Sequence, residues 1–218
     1  MTGSGRGVVE EVCVVHSLVK GTWGLTAIEK EPLAGKVWVD RLGLAGDRQE
    51  SRGHGGPDMA VYVYAAEDAE WWSQQLGRRC PAGCFGENLR IRGIDITDAR
   101  IGQCWRVGEV ELEVRMPRTP CANLSRHLGI ADLHKQFAKS GRVGAMCRVR
   151  TEGNIAADDA ITCWQPPTHD VTIGQLATQL DPMDARRFLG SDTPLARSVR
   201  RRVLRAAGMV TGRDPDHG

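Results

Sequence analysis

Cys121 lies within Met116-Pro117-Arg118-Thr119-Pro120-Cys121-Ala122-Asn123-Leu124, between a strand-like run that ends in prolines and a helix-like run. A thiol at the start of a helix meets partial positive charge from unsatisfied N–H groups, which favours thiolate over thiol. Arg118, three residues upstream, adds a cation. Thiolate attacks sulfur and binds soft metals, so Cys121 is the first candidate for chemistry. The competing reading is a buried, inert thiol. Pro117 and Pro120 argue against it, because they stiffen the approach and push Thr119 toward an extended backbone. Hydrolysis by a cysteine nucleophile needs a histidine base. His127 and His134 are near in sequence, but neither sits in a hydrolase signature.

A second stretch reads Gly46-Asp47-Arg48-Gln49-Glu50, then Arg52-Gly53-His54-Gly55-Gly56-Pro57-Asp58. Glycines here expose backbone N–H groups beside Arg48, Arg52 and His54, the donors that a phosphate or another oxyanion requires. The Gly-Lys-Ser/Thr ending of a nucleotide-triphosphate loop is absent, and so is a dinucleotide fingerprint. Glycines and prolines between strands also mark plain turns, and a lone His54 also suits a structural role. A third stretch, Cys84-Phe85-Gly86-Glu87-Asn88-Leu89, leads into a strand. Glu87 and Asn88 there either orient a polar ligand or cap a turn.

The chain must also build a core, and 218 residues suffice. Lys and Arg number 29 against 27 Asp and Glu, a balance that predicts neither a nucleic-acid sheath nor an acidic scaffold. Arg197, Arg200, Arg201, Arg202 and Arg205 crowd one stretch, which reads as a solvated helix face. The sequence shows no secretory signal and no apolar run long enough to span a bilayer. Seven irregularly spaced cysteines fit reduced thiols in a cytoplasmic protein. Cys80 and Cys84 lack a second close pair to complete a zinc site. Cys13, Cys104, Cys147 and Cys163 fall in β-like runs and read as small core residues.

Strands are expected at Val8–Val15, Lys36–Leu42, Ala60–Tyr64, Asn88–Arg92, Cys104–Val107, Val110–Arg115, Ala145–Val149 and Ala160–Trp164. Gly108-Glu109 suggests a hairpin turn. Helices are expected at Ala66–Leu76, stopped by Gly77, and after Cys121 through Leu124, Leu128, Leu133 and Phe137, broken at Gly129 and ended at Gly141. Many short strands with two inserted helices give an α+β fold, a mostly antiparallel barrel or sandwich. Beyond Pro167 the apolar spacing turns helical. The expected organisation is residues 1–166 as the β domain, 167–212 as a small C-terminal helical domain and 213–218 as a tail.

The three polar stretches, in this order, resemble the MOSC domain, named for the C-terminal domain of molybdenum-cofactor sulfurases. The resemblance runs from Gly7 to Trp164 and includes Ile101-Gly102-Gln103-Cys104-Trp105-Arg106-Val107-Gly108 and Ser140-Gly141-Arg142-Val143-Gly144. It is nearest to small bacterial stand-alone members associated with resistance to N-hydroxylated purines, which carry a C-terminal three-helix domain. The resemblance implies a β-barrel-like core and a pterin-based molybdenum cofactor. It implies Cys121 as the molybdenum ligand, and Asp47, Arg48, His54, Gly55, Gly56, Glu87, Asn88 and Arg118 as the cofactor-facing residues. One position departs: Met59 stands where close relatives usually have lysine.

The activity so implied is reduction of N-hydroxylated bases or related N-oxygenated compounds. The alternatives are a sulfur carrier using a Cys121 persulfide, or a non-catalytic carrier of the cofactor. This chain is expected to hold no pyridoxal-phosphate domain, and it shows no iron–sulfur or flavin motif, so electrons are expected from separate donor proteins. The expected partners are that donor and a small N-hydroxylated substrate, without nucleic acid or membrane, for a monomer or homodimer.

Overall fold

The computed structural model describes residues 5–22, 24–48, 55–164 and 167–210. The strands are β1 (Arg6–Lys20), β2 (Leu25–Pro32), β3 (Val37–Asp40), β4 (Gly43–Leu44), β5 (Val61–Ala65), β6 (Leu89–Arg92), β7 (Cys104–Val107), β8 (Val110–Pro117), β9 (Ala145–Thr151), β10 (Gly153–Ile155) and β11 (Ala160–Trp164). The helices are α1 (Ala66–Leu76), α2 (Ala122–Leu128), α3 (Leu133–Ser140), α4 (Ile173–Ala177), α5 (Pro182–Leu189) and α6 (Arg197–Ala206).

A seven-stranded barrel closes in the order β1-β11-β7-β8-β9-β5-β6 and back to β1. Only the β5–β6 contact among these pairings is parallel. Closure depends on the length of β1. Its first residues pair with β11, Val8–Val12 pair with β6, and Cys13–Lys20 continue as a hairpin with β2. Closing the sheet removes its free edges, and the β1–β2 extension stands beyond the rim. The smaller sheet β10-β3-β4 packs alongside.

Alternating apolar residues fill the barrel: Val9, Val63, Leu89, Ile91, Leu112 and Val114 are all buried. Strand β5 is buried on both faces, because α1 and α3 cover its outer side. Tyr64, Phe85, Phe137 and Trp72 form the seam, with the Trp72 and Phe137 rings stacked at 5.2 Å. Helix α1 has Glu67 and Asp68 in its first turn and ends on Gly77 in the left-handed conformation, as its sequence predicts.

The last three helices are fastened by backbone bonds. Ile101 N–H donates to Val171 O at 3.2 Å, Ile173 N–H to Ala99 O at 2.9 Å and Gly174 N–H to Thr97 O at 2.8 Å. Thr172 and Gln175 form a capping box on α4, and Asp181 caps α5. Ile173, Leu176, Phe188, Val199 and Val203 belong to the same apolar cluster as the barrel residues.

Two sequence expectations need amendment. The strand expected at Lys36–Leu42 covers only Val37–Asp40, because Asp40 Oδ1 accepts from Leu42 and Gly43 N–H and turns the chain into β4. Strands β2, β4 and β10 are additional to the expected set. The latter two are very short. β2 was hidden by its composition, since Glu29-Lys30-Glu31 reads as a solvent-facing run.

Candidate active site

Where β8 leaves the barrel, Pro117 to Pro120 carry the chain across the barrel mouth and deliver Cys121 to the start of α2. Cys121 is the N-cap residue, extended at φ −124° and ψ 170°, and is half-buried. It lines a cavity of about 160 Å³, room for a group larger than one water. Asn123 fixes the start of the helix, because its Oδ1 accepts from Thr22 N–H at 2.7 Å on the β1–β2 turn.

Arg118 lines the same cavity and is itself buried, 8% exposed. Its backbone N–H donates to Gly144 O at 3.3 Å. Its guanidinium lies over the Tyr62 and Phe137 rings at 5.6 and 5.8 Å, a favourable seat for a cation. Nη1 has no hydrogen-bond partner among the described residues. A buried donor left unanswered is costly, and this one belongs to a residue of the cavity wall. Gly144 permits the approach: its φ is +73°, and a Cβ there would stand 2.6 Å from Val63 O.

The facing wall is polar. Lys30 of β2 forms a buried ion pair with Asp47. Asp47 Oδ1 accepts from Val15 N–H at 2.9 Å, and Oδ2 accepts from Asn88 Nδ2 at 2.7 Å. Asn88 Oδ1 in turn accepts from Tyr62 N–H at 3.0 Å. Burial pushes the Lys30 ammonium below its ordinary pKa, while Asp47 pulls it back up. Lys30, Asp47, Arg48, Gly55, Asn88, Arg118 and Cys121 all line the cavity.

Glu87 has a different place from its neighbour Asn88. It is fully buried behind the wall, where it accepts from Gly83 N–H at 2.9 Å, Phe85 N–H at 3.0 Å and Arg90 Nε at 3.0 Å. Its carboxylate shapes the loop that presents Phe85 and Gly86 to the cavity, and it does not line the cavity itself. Gly56 precedes a one-turn helix, Pro57–Met59, just outside the lining. His54 lies outside the described residues.

Neither His127 nor His134 lines the cavity. His134 Nδ1 lies 2.8 Å from Ser125 Oγ and so joins α2 to α3. Cys80 and Cys84 interact with each other, which lowers the Cys80 thiol to about 6 and raises Cys84. The described residues hold no cluster of three or more His, Cys, Asp or Glu suited to a metal. Lys30, Thr26, Ile28 and Asn123 are wall residues that the sequence reading missed. The one available signal was the short apolar run of Ala27 and Ile28 ahead of Pro32.

A closed barrel with a cavity lined by a half-buried cysteine, and by an arginine whose Nη1 has no partner among the described residues, defines a barrel domain with a thiol on its cavity wall. The MOSC domain matches residues 50–162, just over half of the 218 residues, and this chain belongs to the MOSC domain family. Protein YiiM of Escherichia coli (strain K12) is 34% identical over 137 residues, covering 61% of this chain and 61% of that protein. A Gibberella moniliformis (strain M3125 / FGSC 7600) protein named Reductase is 32% identical over 146 residues, 65% of this chain and 26% of that protein. The chain thus matches less than two thirds of either relative's length. The crystal structure of YiiM from Geobacillus stearothermophilus superposes with a TM-score of 0.76 at 23% identity, covering 92% of this chain and 98% of that one. That likeness shows the fold.

Proposed function

We propose that this protein is a molybdenum-cofactor-dependent reductase of N-hydroxylated bases or related N-oxygenated compounds, with Cys121 as the protein ligand to molybdenum. The observation that carries the reading is the Arg118 guanidinium, buried in the wall it shares with Cys121 and lacking an acceptor for Nη1 among the described residues. An anionic prosthetic group supplies that acceptor, and a thiolate is the soft ligand that molybdenum takes. A related protein bears the name Reductase.

When bound, the cofactor supplies the redox chemistry at which the N–O bond breaks. The chain's own residues supply the surroundings. Arg118, and Arg48 on the same lining, provide donors for oxyanion groups. Asp47, itself fixed by Asn88, holds the Lys30 ammonium on the opposite wall. Phe85 and Tyr62 narrow the space and exclude water. The overall reaction turns a hydroxylamine into an amine and water, taking an electron pair from a separate donor protein and two protons from solvent.

Molybdenum and pterin analysis of protein from a cofactor-competent host tests this reading. Stoichiometric metal is expected in the wild type, with loss in Cys121→Ala. Metal-free wild type from such a host overturns it.

A further inference from the structure

Three of the chain's six methionines, Met59, Met116 and Met146, line the cavity of Cys121. The other two within the described residues are exposed, Met183 on α5 and Met209 just after α6. The enrichment is local, and the topology explains it. Met116 of β8 and Met146 of β9 are direct cross-strand partners, so their side chains are neighbours on one face. Met59 ends the one-turn helix Pro57–Met59, which packs on β8 and β9. That turn is pinned there by Asp58, which accepts from Arg115 Nε at 2.8 Å and Arg148 Nη2 at 2.6 Å. Ser198 Oγ of α6 lies 3.7 Å from Met116 Sδ, so the C-terminal helices back the same wall.

Strand order separates this wall from the polar one. Lys30 lies on β2 and Asp47 is bonded to β1, away from β8 and β9 in the strand order, and the two walls meet at Tyr62, which pairs with Met146 and is bonded to Asn88. The cavity therefore has a charged side and a thioether side, with Arg118, Tyr62 and Cys121 between them. The charged side suits an anionic cofactor. A thioether wall offers nothing to an anion, whereas polarisable sulfur on flexible stems packs well against aromatic rings and adapts to their outlines. We propose that Met59, Met116 and Met146 form the subsite for the uncharged aromatic ring of the substrate, holding its N-hydroxyl group toward Cys121. This inference rests on the reductase reading for the identity of the ligand, but its test does not depend on turnover.

Binding of 6-hydroxylaminopurine to the cofactor-loaded protein is measured by equilibrium dialysis, anaerobically and without reductant. Combined Met59→Ala and Met146→Ala is expected to raise Kd about tenfold or more, the usual effect of emptying an apolar pocket. Combined Met59→Leu and Met146→Leu keeps volume and stays within about threefold. Pterin content is expected to be unchanged in both. Should the alanine pair fail to fold, Met59→Ser on its half-exposed turn tests the same wall, again with weakened binding expected. Wild-type affinity in the folded alanine pair or in Met59→Ser overturns the subsite. So does absence of binding to the wild type, and so does loss of pterin, which would assign the wall to the cofactor. If the wild type binds the ring but no N–O reduction follows with chemically reduced viologen, the subsite stands and the reductase reading fails.

Discussion

Asn88 donates its side-chain amide to Asp47 Oδ2 across 2.7 Å, although the two residues are 41 positions apart. Through this bond the loop ahead of β6 and the segment after β4 become one wall. Lys30 joins it from β2, and Tyr62 joins it through its backbone. The cavity is thus held by a polar network that reaches across the barrel rim, and Asp47 and Asn88 each have a second partner that fixes their direction.

The Lys30–Asp47 pair makes a stability prediction. Asp47→Ala leaves a buried ammonium without its counter-ion and is expected to cost about 3–5 kcal/mol. Adding Lys30→Met recovers part of that loss. About 1–3 kcal/mol remains, because the Val15 N–H and Asn88 amide lose their acceptor. Urea unfolding of the two variants measures both terms. Equal stability of the single and double variants would contradict a buried ion pair.

Arg118 is expected to separate stability from binding. Arg118→Met removes a donor that the described residues leave unanswered and replaces the guanidinium over the Tyr62 and Phe137 rings with a thioether, which also packs well on aromatic rings. The variant should unfold within about 1 kcal/mol of the wild type. Its pterin content should fall severalfold. A large loss of stability with unchanged pterin would make Arg118 a purely structural residue.

Thiol reactivity should follow burial. Burial pushes Cys13 up to about 12 and raises Cys147 as well, so both remain protonated at pH 8. Cys121 is half-buried on the cavity wall. Iodoacetamide labelling of metal-free folded protein, followed by peptide mapping, should therefore modify Cys121 well before Cys13 and Cys147. Labelling of Cys13 at an equal rate would place the barrel mouth elsewhere.

His169 predicts an acid-side loss of stability. Nδ1 accepts from Val171 N–H at 3.1 Å, and Nε2 lies 2.9 Å from Ile101 O, where it donates. Protonation of Nδ1 destroys the first bond, and burial lowers the folded pKa below its ordinary value. The unfolded chain thus takes up a proton at higher pH than the folded one. The contribution is fully present above about pH 6.5 and declines as pH falls toward the folded value. Denaturant midpoints between pH 7.5 and pH 5, wild type against His169→Gln, isolate it from other histidines. Parallel profiles for the two proteins would remove His169 from the account.

Much of the scaffold was legible in order of residues. Helix α1 was expected and found at Ala66–Leu76, because acidic residues open it and Gly77 closes it. The β7–β8 hairpin follows from alternation around Gly108, which adopts φ +55°. Strand β2 was not legible, since burial of Lys30 depends on a carboxylate supplied from Asp47, 17 residues further on. Glu87 and Asn88 looked alike as polar neighbours ahead of a strand. Only their contacts show that one props a loop from behind and the other faces the cavity.

By itself the sequence determined the alternation that makes short strands, the helix stops, and the proline-stiffened approach to Cys121. These are local matters of backbone preference and period, and they need no partner distant in the chain. Tertiary structure alone decided which polar groups pair, that Arg118 Nη1 meets no acceptor among the described residues, and that three methionines share one wall. Those outcomes follow from barrel closure, which sets strand neighbours by register and shear rather than by sequence distance.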